Sequence, residues 1–175
     1  MLPGGTICPR RRQARKQKLN ISVVGVPKSI DNDVLFVDRT FGFDSAVESA
    51  AGVIRNGYVE AMSCAKGVGI VKLMGRDAGF VAAHAALASN LVDLVLVPEV
   101  RVTLDDVTSY VDKVIAEKGH MVIVVAEGAG QEHVATGKKD ATGHDIYGDI
   151  GQFLRDYLNK YLKPKGGRTF YIDPS

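Results

Sequence analysis

The sequence has no tryptophan and only two cysteines. No apolar run approaches the roughly 20 residues that a membrane-spanning helix needs. Cys8 and Cys64 lack metal-ligand spacing and form no disulfide framework, which points to a reducing intracellular compartment. The four histidines, His84, His120, His133 and His144, also lack metal spacing, and His84 reads as structural inside a run of small residues. Acids are absent from residues 1–19, which hold six basic residues. The remainder holds 16 basic and 20 acidic residues, so the body of the chain is mildly acidic and nucleic-acid binding is not expected. The basic head can be a transit peptide, a nucleic-acid arm, or a solvated helix end or disordered tail. Pro3, Gly4, Gly5 and Pro9 oppose a continuous amphipathic helix there, which favours the solvated helix end or tail. No internal repeat or interdomain linker is visible, so residues 20–175 read as one domain and 1–19 as a separate basic segment.

What is present is a globular composition, 46% hydrophobic and 24% charged over 175 residues. Four short runs rich in Val and Ile stand out: Ile21–Val26, Val68–Met74, Asp93–Val97 and Met121–Ala126. They are nearly continuous rather than alternating, as strands covered on both faces are. Helical patterns separate them. Phe43 to about Ser63 has helical spacing, though Gly52 and Gly57 weaken it. Gly79–Ala88 is small and apolar nearly all round, which predicts a buried helix. Thr103 opens a capping box with Asp106, for a helix ending before Gly119. Asp149–Leu162 is amphipathic, with Pro164 as its stop. Residues 128–148 read as a polar loop, and Arg168–Ile172 as a last strand. This order predicts an α/β fold with a doubly wound, mainly parallel sheet and helices on both faces.

In such a sheet ligands bind beyond the carboxyl ends of the strands. The segments that follow the four runs hold Lys28, Ser29, Asp31 and Asp33; Gly75 and Arg76; Glu99; and Glu127. A set of charges at one edge favours a site, although any one of them alone reads as an ordinary polar loop residue. In an extended segment Asp31 and Asp33 point the same way, and mutual repulsion can raise one pKa. One carboxylate then serves as general base and the other supports a divalent cation. The plain alternative is an Asx-turn without chemistry. Lys28 can meet a phosphate, and Ser29 a phosphoryl oxygen or sugar hydroxyl. Gly75 would let a ligand approach the backbone, and Arg76 offers planar donors, unless it simply pairs with Asp77 or Asp44. Gly128-Ala129-Gly130 would leave room for a ligand beside Glu127. Glu99 lacks that help and ranks lower.

These residues carry a resemblance. Gly25–Asp33 (GVPKSIDND) resembles the GVPKTIDND signature of 6-phosphofructokinases. Asp38–Glu48, Val71–Phe80, Leu96–Val100, Val125–Gln131 and Tyr171–Ser175 continue the match in order, and KLMGR with VAEGAGQ looks closest to the ATP-dependent plant and trypanosomatid-like branch. The resemblance implies transfer of the ATP γ-phosphoryl group to O1 of fructose 6-phosphate, with Mg²⁺. It casts Asp31 as the base, Asp33 as metal support, and Ser29, Met74, Gly75, Arg76 and Glu127 as substrate contacts. A cytoplasmic (or plastid) homo-oligomer in full-length form is implied too.

Two departures shape the expectation. The family's GGDGT donor loop is reduced here to Gly4-Gly5-Thr6, and the sequence stops at Ser175, before the family's YMIR segment. The chain is therefore expected to be a partial phosphofructokinase fold that associates when expressed alone. A non-catalytic sugar-phosphate-binding remnant and a pyrophosphate-dependent enzyme are the alternatives, the latter because Lys28 occurs in that branch too.

Overall fold

The structure is a computed structural model that describes residues 9–134 and 147–174. Among the described residues four strands form one sheet: β1 (Gly67–Leu73), β2 (Leu94–Leu96), β3 (His120–Ala126) and β4 (Arg168–Ile172). Their order is β2-β3-β1-β4, and every pairing is parallel. Five α-helices among the described residues accompany them: α1 (Pro9–Lys16), α2 (Phe43–Met62), α3 (Phe80–Ser89), α4 (Leu104–Lys118) and α5 (Ile150–Leu162).

Side chains alternate across β1 and β3, so each strand feeds two cores. Val68, Ile70, Met121, Ile123 and Val125 face α4 and α5, against Val111, Leu154 and Leu158. Val71, Leu73, Val122 and Val124 face α2 and α3, against Ile54, Ala61, Ala82 and Ala85. Both faces are thus covered, which explains the continuous apolar runs. The doubly wound arrangement expected from the sequence is the one observed.

Gly57 strengthens this packing where the sequence suggested weakness. Cβ atoms built on Gly67 and Gly69 would lie 2.0 Å from the Ala61 carbonyl oxygen and 2.5 Å from that of Gly57. Helix α2 therefore lies almost directly on the backbone of β1. The α4 start is as expected: Thr103 Oγ1 accepts from the Asp106 N–H at 3.1 Å, Asp106 returns the cap, and Gly119 closes the helix at φ 79°. Asp149 caps α5 by accepting from the Gln152 N–H. As expected, α5 ends at Leu162, and the chain then tightens into a 3₁₀ turn, Lys163–Lys165, that contains Pro164.

Three expectations need correction. Ile21–Val26 is not a strand: it pairs with none of the described strands, and Val24 is 84% exposed. Apolar content marks a segment as able to pair but supplies no neighbour; β3 and β4 occupy both sides of β1. Helix α3 is not buried all round, since Leu87 is 79% exposed and Phe80 is also at the surface. Its small residues pack on α2 and on the sheet, leaving Phe80 and Leu87 on the exposed side. Part of the 128–148 loop, residues 135–146, lies outside the described residues; Gln131–His133 forms a 3₁₀ turn.

Candidate functional site

Parallel strands place all their carboxyl ends at one edge, so Met74–Asp77 after β1 and Glu127–Gly130 after β3 are neighbours. Backbone bonds join them. The Glu127 N–H donates to the Leu73 carbonyl at 3.0 Å, and the Gly128 N–H to that of Gly75 at 3.0 Å. A Cβ on Gly128 would lie 1.8 Å from the Arg76 carbonyl oxygen. Gly128 therefore makes room for the next loop, where the sequence suggested room for a ligand. Gly75 has φ 139°, and a Cβ there would meet the Ala78 carbonyl at 2.6 Å, so its own turn already requires glycine. Met74 is exposed and borders an apolar depression with Ala46, Val53 and Pro174.

The aspartate loop is bent, not extended. Asn32 sits between the two acids at φ 56°, so alternation along a strand does not relate them. The bend is held from within. Asn32 Oδ1 accepts from the Thr40 N–H at 2.9 Å, and its Nδ2 donates to the Asp38 carbonyl at 3.2 Å. Ser29 Oγ accepts from the Asp31 N–H at 3.2 Å and donates to Asp33 Oδ1 at 2.8 Å. Thr40 is buried, which anchors the clamp. The backbone bends here as the turn alternative supposes, but Ser29 rather than an Asx side chain closes the local bond, and the charge of Asp33 still bears on Asp31. Burial raises the Asp31 carboxyl above its ordinary value, the charges of Asp33 and Asp77 push the same way, and Lys28 opposes them. Asp77 adjoins Arg76, so Asp31 lies within the electrostatic field of the β1 loop although no strand leads into it.

Arg76 is half-buried, with its Cζ 4.5 Å from the centre of the Tyr147 ring. Asp44, one of its expected partners, pairs with Arg39. Glu99 has a structural role: its Oε1 accepts from the Gly79 N–H at 2.8 Å, at the start of α3. His84 is structural as well, 5.0 Å edge-on to the buried ring of Phe43. Glu127 is half-buried, and Gln131 Nε2 donates to its carbonyl at 2.6 Å. The sequence reading overlooked Gln131, Tyr147 and Lys72. Gln131 stood inside a quoted motif; Tyr147 had no local signal.

Mg²⁺, implied by the resemblance, retains several waters and takes one or two carboxylates together with phosphate oxygens. Among the described residues no group of three or more His, Cys, Asp or Glu could hold a metal alone. The exposed Asp33 carboxylate therefore suits a cation shared with a phosphate, rather than an all-protein cage.

A parallel, doubly wound sheet whose carboxyl edge gathers acids, an arginine and a glycine-spaced loop defines an α/β protein with a polar carboxyl edge. The phosphofructokinase family model matches residues 4–169. The chain is 47% identical over 169 residues to ATP-dependent 6-phosphofructokinase 5, chloroplastic, of Arabidopsis thaliana, covering 93% of this chain and 32% of that protein. It is 45% identical over 170 residues to the ATP-dependent 6-phosphofructokinase of Trypanosoma brucei brucei, covering 94% and 35%. Its fold is similar to that of phosphofructokinase from Pichia pastoris in the T-state, with TM-score 0.59 and 26% identity over 83% of this chain and 15% of that one. Pyrophosphate-dependent phosphofructokinase from Marinobacter aquaeolei shares the fold at TM-score 0.65 and 24% identity, over 93% and 39%. The chain belongs to the phosphofructokinase family. It spans about a third of the length of these curated relatives.

Proposed function

We propose that the protein acts as a 6-phosphofructokinase, moving the γ-phosphoryl group of ATP to O1 of fructose 6-phosphate. The observation that carries this reading is the Asp31 carboxyl, raised by burial and by Asp33 and Asp77, beside the loop that presents Arg76. A carboxylate tuned upward is a better acceptor for a hydroxyl proton, so Asp31 takes the proton of the attacking 1-hydroxyl. Ser29, hydrogen-bonded between the Asp31 backbone and Asp33, orders the loop and contacts substrate. Arg76 and Glu127, with Met74 and Gly75, hold the sugar phosphate. Lys28 lies beside the donor phosphates. Asp33 supports Mg²⁺, which when bound neutralises charge on the phosphoryl oxygens. Placement and charge neutralisation are what phosphoryl transfer chiefly requires.

Residues 20–175 serve as one domain of a homo-oligomer, with 1–19 outside it. The cytoplasm is its location, with the plastid as the alternative raised by the chloroplastic relative. Among the described residues no helix is long and apolar enough to cross a membrane.

The test is fructose 6-phosphate-dependent ADP release by the purified protein, with pyrophosphate as a parallel donor. Asp31→Ala is expected to lower turnover at least about 100-fold. Retained turnover removes Asp31 as the base; turnover with pyrophosphate alone reassigns the donor. Sugar-phosphate binding without turnover leaves the non-catalytic reading.

A further inference from the structure

The polar contacts around Arg76 form a chain that the family signature does not assign. Tyr147 lies under the guanidinium of Arg76, 4.5 Å from ring centre to Cζ, and its hydroxyl donates to Asp77 Oδ1 at 3.3 Å. Its backbone is tied on the following side. The Gly148 N–H donates to Gln131 Oε1 at 3.1 Å, and Gln131 Nε2 donates to the Gly148 carbonyl at 3.1 Å. The same Nε2 donates to the Glu127 carbonyl at 2.6 Å, so one amide joins the Tyr147 segment to the Glu127 loop. Residue 148 must be glycine, since a Cβ would lie 2.3 Å from the Val134 carbonyl. One residue further, Asp149 caps α5 and pairs with Lys72 of β1 at 3.5 Å. Tyr147 is thus held against the ends of both β1 and β3.

An arginine side chain has many rotamers, and an anion must otherwise remove that freedom on binding. A ring against its face fixes the guanidinium plane. A hydroxyl bond to Asp77 also engages the acid that stands next to Arg76 in the chain.

We infer that Tyr147 is a positioning residue for anionic substrate: its ring sets the plane of Arg76, and the Gln131 amide locks that ring to the Glu127 loop. This rests on the sugar-phosphate reading of Arg76 given above.

The experiment titrates fructose 6-phosphate into the purified protein by calorimetry, beside thermal melts, for the unsubstituted protein, Tyr147→Leu, Tyr147→Phe and Arg76→Met. Tyr147→Leu is expected to weaken binding about five- to tenfold with little change in melting temperature, and Tyr147→Phe to restore most of it, since the ring carries the effect. In the Arg76→Met background, Tyr147→Leu should have no further effect. Equal binding by Tyr147→Leu and the unsubstituted protein, or equal losses with and without Arg76, overturns the inference while leaving the sugar-phosphate reading intact. Unchanged binding in Arg76→Met, or none in the unsubstituted protein, overturns that reading and the inference with it. If Tyr147→Leu does not fold, Tyr147→Gln carries the same comparison.

Discussion

Gly128→Ala tests how the two loops of the site are joined. The added methyl would lie 1.8 Å from the Arg76 carbonyl oxygen, 2.7 Å from its carbon and 3.2 Å from the Gly75 oxygen. Each is backbone, so no side chain can rotate away. Restoring ordinary contact needs a displacement of about 1.5 Å or more between the ends of β1 and β3. That movement breaks the Gly128–Gly75 hydrogen bond, worth about 1 kcal/mol, and adds about 2 kcal/mol of overpacking strain. The expected loss is about 3 kcal/mol, or roughly 6–12 °C in melting temperature for a chain of this size. Urea denaturation and calorimetric melts measure it, and titration with fructose 6-phosphate should show binding weakened along with stability. Gly128 does not have positive φ, so space alone imposes the requirement. Gly52→Ala is the contrasting change: it lies exposed within α2 with nothing within 4 Å of its added methyl, and should stabilise by about 0.5–1 kcal/mol. A Gly128→Ala protein as stable as the unsubstituted one would refute the stitched-loop geometry.

Asp31→Asn should abolish turnover yet raise stability at pH 7 by about 0.5 kcal/mol, allowing for solvent screening. The raised carboxyl of Asp31 makes its ionised form costly in the folded state, so the advantage fades as pH falls through the folded pKa and vanishes below 3.8. Urea titrations at pH 7 and pH 3.5 check the sign; a destabilised variant at pH 7 contradicts it. Lys72→Met should cost about 2 kcal/mol, because Lys72 is largely buried between Asp149 and Asp173 at 3.5 and 2.5 Å. Burial opposes the charges of Lys72 and Asp149, but hydrogen bonds and the ion pairs outweigh it, raising the lysine and lowering the acid. The contribution of Lys72 is whole below pH 10.5 and lost as pH rises through its raised pKa; that of Asp149 is whole above pH 3.8 and lost as pH falls through its lowered one. A stability–pH curve for the two proteins should therefore converge at both extremes. Thr103→Ala removes the α4 cap and should cost about 1 kcal/mol by urea denaturation; a loss below about 0.3 kcal/mol would argue against the capping box.

The elements at the centre of the sheet were legible because burial on two faces leaves an unmistakable mark. Val68–Met74 and Met121–Ala126 are continuous apolar runs, and both became strands with helices on either side. The α4 cap was legible because Thr103 and Asp106 are three residues apart and bond locally. Ile21–Val26 shows where that logic fails: its composition matches a strand, but pairing depends on a neighbour remote in sequence. The aspartate loop was found for partly the wrong reason, since Asn32 turns the chain between Asp31 and Asp33.

Local chemistry along the chain determined which residues could act: carboxylates in a tight loop, an arginine after a strand, helix caps, and apolar runs suited to a two-sided core. Only the tertiary structure decided which distant groups meet. Tyr147 reached Arg76, Gln131 bridged Glu127 to Gly148, and Gly128 gave up its side chain to a neighbouring carbonyl. The reason is physical: caps and turns bond within a few residues, whereas the meeting of strand ends is set by sheet order and by how closely backbones can approach.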